Sequence, residues 1–118
     1  MSHVTIRNYT PHSIVIVDPV SGEVTRRFES EGVARVEETQ RHVDWVDGVE
    51  VRCVIYGDIT GLPADEKTDV YYIVSMVVAQ ANARLLCPRV DLLCPDTGKS
   101  CKRDERGQIV GVTGFVIY

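Results

Sequence analysis

The chain is 118 residues long, carries a formal net charge of −4 and is 44% hydrophobic and 25% charged, so one domain over residues 1–118 with a single core is expected. Nothing in this balance argues for a disordered, collagenous or membrane-spanning chain. The net negative charge argues against duplex nucleic acid, whose affinity comes largely from Lys and Arg neutralising phosphates.

Val4-Thr5-Ile6-Arg7 alternates as a half-buried strand does, and Asn8-Tyr9-Thr10-Pro11-His12 interrupts it with loop chemistry. Ser13 to Val17 is rich in β-branched residues and reads as a strand. Asp18-Pro19-Val20-Ser21-Gly22 is a turn, and residues 23–28 return antiparallel to complete a hairpin. Residues 33–36 suggest another short strand, followed by polar residues 37–42 that fit a connection or an exposed strand extension. Asp47-Gly48 between apolar neighbours signals a tight hairpin, because both residue types tolerate positive φ. In the strand after it, Val49, Val51, Cys53 and Ile55 share one face, against Glu50 and Arg52 on the other, and that apolar face is expected to join the core.

Residues 57–68, with Gly57, Gly61 and Pro63, read as a loop able to act as a flap. Residues 70–74 form a strand that runs into the helix expected over residues 75–84, with Ser75 as its N-cap and apolar groups spread around the cylinder. A strand over residues 90–95 follows, so strand, helix and strand suggest a crossover. Asp104-Glu105-Arg106-Gly107 closes a last hairpin between residues 101–103 and 108–117, in which Gly111 and Gly114 suggest a bulge or close backbone approach. The expected fold class is α+β: a curved mixed, mainly antiparallel β-sheet or partial barrel packed around one central helix.

No run approaches the roughly 20 apolar residues that cross a bilayer. Residues 1–5 carry no basic leader before an apolar stretch, so the expectation is a cytoplasmic protein, in the host cytoplasm if phage-encoded, with no membrane partner. Cys53, Cys87, Cys94 and Cys101 are then expected as reduced thiols. The last three recur at seven-residue intervals without the close Cys-x2–4-Cys pair of structural zinc sites, and Cys53, Cys87 and Cys94 sit in apolar runs, so small-hydrophobe roles are expected and no metal. Arg26-Arg27 and the stretch from Lys99 to Arg106 are the candidate basic patches, the second interrupted by Asp104 and Glu105.

Chemical motifs are sparse. Asp96-Thr97-Gly98-Lys99-Ser100 ends like a phosphate-binding loop, but Leu93 stands where that loop needs its first glycine and a strand follows instead of a helix. Ser75 lacks the Gly-x-Ser-x-Gly frame of a hydrolase nucleophile. Asp58, Asp65, Asp69, Asp91, Asp96 and Asp104 are too many to nominate a carboxylate pair. No catalytic residue and no cofactor are assigned.

The chain resembles a family of small phage, prophage and actinobacterial proteins. The resemblance rests on Asn8-Tyr9-Thr10-Pro11-His12-Ser13-Ile14-Val15-Ile16, Gly32-Val33-Ala34-Arg35-Val36 and Tyr56-Gly57-Asp58-Ile59-Thr60-Gly61-Leu62-Pro63. It continues through Tyr71-Tyr72-Ile73-Val74-Ser75, Val78-Ala79-Gln80-Ala81, residues 92–98 and residues 103–112. Where such members read Val-Pro-Asp-Thr, this chain has Cys94-Pro95-Asp96-Thr97, which makes its cysteines look like local variation. The resemblance implies a phage setting. Together with polar loops beside strong strands, it leads to the expectation of a non-enzymatic accessory protein that sequesters a small anionic ligand, such as a nucleotide immune signal, as a homo-oligomer. The expected ligand-binding residues are Asn8, Thr10 and His12 in the first loop, Asp96 and Thr97 in the Pro-Asp-Thr turn, Arg103 as anion partner, and Tyr9 or Tyr72 stacking on a base. The alternatives are a structural or protein-interaction module of phage or host, and a small hydrolase in which His12 or Ser75 meets a carboxylate.

Overall fold

The structure, a computed structural model, describes residues 4–64, 69–98 and 101–118. It is mostly β-strand with one short helix. A four-stranded sheet forms the centre, in the order β1 (Thr5–Asn8), β6 (Val70–Ile73), β7 (Leu92–Pro95), β10 (Phe115–Val116). The pairs β1–β6 and β6–β7 are parallel, and β10 runs antiparallel to β7. Around it lie three antiparallel hairpins: β2 (Ile14–Val17) with β3 (Val24–Phe28), β4 (Arg35–Val46) with β5 (Val49–Thr60), and β8 (Lys102–Arg103) with β9 (Ile109–Gly111). The sheets are open and form no closed barrel.

The helix α1 (Met76–Ala83) connects the parallel neighbours β6 and β7. Ser75 holds the N-cap position with extended backbone, and its carbonyl accepts the Ala79 amide at 3.0 Å, but its side chain makes no capping bond. Val78, Ala79, Ala81 and Asn82 are buried, whereas Met76 and Ala83 are exposed. The helix therefore packs by one side. Val78 and Ala79 meet Val70, Tyr72 and Val74 of the β6 segment, Leu92 and Cys94 of β7, and Ala34. Ile73, which alternation puts on the opposite face of β6, is 0% exposed. Both faces of the central sheet are thus covered, which matches the continuous apolar run expected of parallel strands.

Residues 37–42 take the second of their two expected forms, an exposed strand extension, whereas β5 departs from expectation by running on through Gly57 to Thr60, so the expected loop begins only at Gly61 and part of it, residues 65–68, lies outside the described residues. The result is a hairpin of twelve residues per strand, closed by Asp47 at φ 50° and Gly48 at φ 76° as a two-residue turn should be. The apolar face expected in the core is not there: Val49 is 65% exposed, Val51 39% and Ile55 43%. The radius of gyration of 16.8 Å exceeds the roughly 13.5 Å of a compact chain of this length, with extents of 52 × 41 × 19 Å. The last hairpin also divides, because β9 ends at Gly111 and β10 leaves it to pair with β7.

Candidate functional site

The first loop is built on Asn8. Its side chain is fully buried; Nδ2 donates to the carbonyls of His12 at 2.7 Å and Phe28 at 2.9 Å, while Oδ1 accepts the Thr10 amide at 2.9 Å and hydroxyl at 2.7 Å. Two donors and two lone pairs are the whole capacity of an amide group. Asn8 therefore spends its polarity inside the chain and holds residues 10–12 against β3. The Thr10 hydroxyl also lies 2.9 Å from the His12 carbonyl, and the Thr10 carbonyl accepts the Ser30 hydroxyl at 2.7 Å. Asn8 and Thr10 are thus positioning groups, whose effect is to fix where His12 projects.

Tyr9 and Tyr72 meet edge to face at 5.3 Å between ring centroids, with Tyr72 3% exposed and packed in the core cluster. The Arg89 guanidinium stands 5.5 Å from the Tyr72 ring. The surfaces on which a base was expected to stack are largely taken by these contacts.

His12 is exposed, and it shares a cleft of 310 Å³ with Ser13, Ile14, Val15, Pro95, Thr97 and the strand from Ile109 to Val112. Of the expected ligand-binding residues, the structure brings His12 and Thr97 together here. The Ile16–Val112 bridge, with the Val17 amide on the Val112 carbonyl and the Val112 amide on the Val15 carbonyl, seats residue 112 against β2. A Cβ on Gly111 would stand 2.7 Å from Val17 Cγ1, so a side chain at residue 111 would have to displace the Val17 methyl. The lining is mainly apolar with a few polar groups, the composition of small-molecule sites, at the small end of their volumes.

Thr97 belongs to the turn after β7. The Asp96 amide donates to the Gly114 carbonyl at 3.0 Å, and Asp96 Oδ1 accepts the Gly98 amide at 3.1 Å. Asp96 faces a second, neighbouring cleft of 350 Å³, also bordered by Pro95, Thr97, Met76 and Tyr118. Arg103 is exposed on β8, opposite Ile109 of the cleft wall, and donates to the Gly107 carbonyl at 2.8 Å. It sits one strand away from His12 and Thr97. Lys99 and Ser100, the end of the expected Gly-Lys-Ser match, lie outside the described residues.

Sequence reasoning missed the cleft of 530 Å³ at the C-terminal end of α1, lined by Asp58, Ile59, Thr60, Leu62, Asn82, Leu85 and Arg89. Arg89 makes a paired contact with Asp91, Nε to Oδ1 at 2.9 Å and Nη2 to Oδ2 at 2.8 Å, and donates to the Pro63 carbonyl at 2.8 Å. Asn82 accepts the Arg89 amide and donates to its carbonyl, both at 2.9 Å, which closes residues 83–88 into a loop. The only signal in the sequence was the Arg-x-Asp spacing.

Among the described residues two groups have displaced acidities. The Ser21 and Val20 amides hold the Asp18 carboxyl below its usual value, as befits the anchor of the β2–β3 turn. Burial, aided by the Asp96 carboxylate, pushes the Cys94 thiol above its usual value. Cys94 is buried and Cys53 and Cys101 are half-buried, but Cys87 is exposed in the loop after α1 and not in an apolar strand as expected. Among the described residues no three His, Cys, Asp or Glu side chains gather as metal ligands, and no helix is long and apolar enough to cross a membrane.

No known protein family, curated protein or solved structure matches the chain.

Proposed function

We propose that the chain is a non-enzymatic, phage-type accessory protein that binds and sequesters a small anionic ligand at the His12–Thr97 cleft, nucleotide immune signals being the class to test first. The observation that carries this reading is the convergence of an exposed imidazole and a hydroxyl, from loops far apart in the chain, over an apolar floor. Hydrogen bonds fix both: the Asn8 side chain donates to the His12 carbonyl of the first loop, and the Asp96 main-chain amide ties the second to Gly114. Arg103, across the β8–β9 pair from the cleft wall, is the cation within reach of a ligand longer than the cleft.

Isothermal calorimetry and thermal shift with cyclic dinucleotides and cyclic ADP-ribose isomers test the proposal. The expected outcome is micromolar or tighter binding by one of them, weakened about tenfold by His12→Ala or Thr97→Val, the loss of one hydrogen bond at each position. The absorbance ratio of the purified protein at 260 and 280 nm, before and after denaturation, checks for a nucleotide that travels with it. No binding at high micromolar concentration removes the reading. A protein-interaction module is the second reading, and it is favoured by the uncovered apolar face of the β4–β5 hairpin.

A further inference from the structure

The β4–β5 arm has two unlike faces, and its pairing register assigns the paired residues from Glu38 to Tyr56 to one or the other. Trp45, Glu50, His42, Arg52 and Gln40 lie on the first face and are tied together there. His42 Nδ1 meets Glu50 Oε2 at 2.9 Å, Arg52 Nε meets Glu50 Oε1 at 3.2 Å and Arg52 Nη1 meets Gln40 Oε1 at 3.2 Å, with the His42 and Trp45 rings 5.5 Å apart. The other face is made of four cross-strand rows, Thr39 with Ile55, Arg41 with Cys53, Asp44 with Val51 and Val46 with Val49. Among the described residues this face lies largely open, with Val46 58% exposed, Val49 65% and Ile55 43%, while Cys53 is half-buried. Among the described residues Arg41 makes no ion pair, and the Asp44 carboxylate bonds only the adjacent Trp45 amide.

Residues 49–53 alternate apolar and polar, the mark of a strand buried on one face, and a lone two-stranded ribbon exposed on both faces is marginal in water. This face is apolar along β5 and carries one cation and one anion along β4, in adjacent rows. We infer that the arm docks face to face on the same arm of a second copy of this chain, the two running antiparallel about a two-fold axis between the Arg41 and Asp44 rows. That one operation sets Arg41 of each copy against Asp44 of the other, Cys53 against Val51 and Ile55 against Val49. Val46 meets Thr39, the β5 positions meet apolar partners and each charge meets its opposite, the self-complementarity that an isologous interface requires. Antiparallel arms also place the two bodies at opposite ends of the contact, clear of each other. The eight-residue overlap is about 25 Å long at strand spacing. This inference stands on the arm alone and does not depend on the ligand cleft.

Sedimentation equilibrium of the full chain, from about 1 to 100 μM, tests it. The expected result is a reversible dimer of twice 13.2 kDa. Val51→Lys, which places a cation in the apolar row, is expected to leave a monomer with an unchanged far-ultraviolet circular dichroism spectrum. Arg41→Asp alone sets like charges against each other and is expected to weaken the dimer about tenfold or more, whereas Arg41→Asp combined with Asp44→Arg restores opposite pairs and with them dimerisation. A wild-type monomer at 100 μM overturns the inference, as does a dimer undiminished by Val51→Lys or a double charge reversal no better than the single one. Ligand calorimetry on the Val51→Lys chain reads the cleft separately, so either proposal can fail without the other.

Discussion

Asn8 shows a side chain standing in for main chain. At the point where β1 stops pairing, its amide satisfies two carbonyls and one amide of the following loop and of β3, a task that apolar packing cannot perform. Asn8→Ala strands those groups in a buried place, and each costs about 1–3 kcal/mol. The expected loss is about 3 kcal/mol or more, read as a lower urea midpoint at unchanged slope. Cys94 gives a second residue-scale expectation. Its thiol has a higher pKa in the folded chain than the ordinary 9.0, so the unfolded chain loses its proton first as pH rises. Stability from this site is therefore full below pH 9.0 and falls above it, until the folded thiol also ionises. Urea midpoints at pH 8 and pH 10 check the sign, with Cys94→Ala showing a smaller decline. With iodoacetamide at pH 8, exposed Cys87 is expected to alkylate first and buried Cys94 last, followed by peptide mass spectrometry.

At the scale of elements, the helix and the long hairpin owe their stability to different sources. The helix has no side-chain cap and no acidic residue in its first turn, so its eight residues are held by burial, Val78 and Ala79 against β6 and β7 and Ala81 also out of solvent. Ser75→Ala is accordingly expected to change stability by no more than about 0.5 kcal/mol, where loss of a true cap costs about 1 kcal/mol; thermal unfolding decides between them. The hairpin, in contrast, was legible from Asp47-Gly48 and from its alternation, and the turn forms as those residues demand. Its length was not legible, because polar residues 37–42 carry no apolar face to distinguish strand from loop. Only their pairing with residues 52–59 makes them strand.

At the scale of the molecule, the arm sets the shape. A monomer made by Val51→Lys is expected to give a radius of gyration close to 16.8 Å by small-angle X-ray scattering, and not the roughly 13.5 Å of a compact domain, and the distance distribution should reach about the 52 Å long dimension. The clefts follow from the same architecture. Because the central sheet is covered on both faces, the open ground lies where hairpins meet the sheet: at β2 with β9, beside the Pro95-Asp96-Thr97 turn, and at the end of α1.

Local chemistry along the chain was enough to determine most strands, the three hairpin turns and the one helix, because alternation, β-branching and turn residues act between near neighbours. It also singled out His12 and Thr97. Asn8, Thr10 and Tyr72 were named for their residue types, and only the tertiary structure decided that their polar or aromatic surfaces are turned inward. Tertiary structure likewise decided that the apolar row from Val49 to Ile55 stays uncovered and that Gly111 lies against Val17. The physical reason is the same in each case: a sequence records which face of a segment needs a partner, but the partner comes from the distant segments, or the second chain, that close packing brings against it.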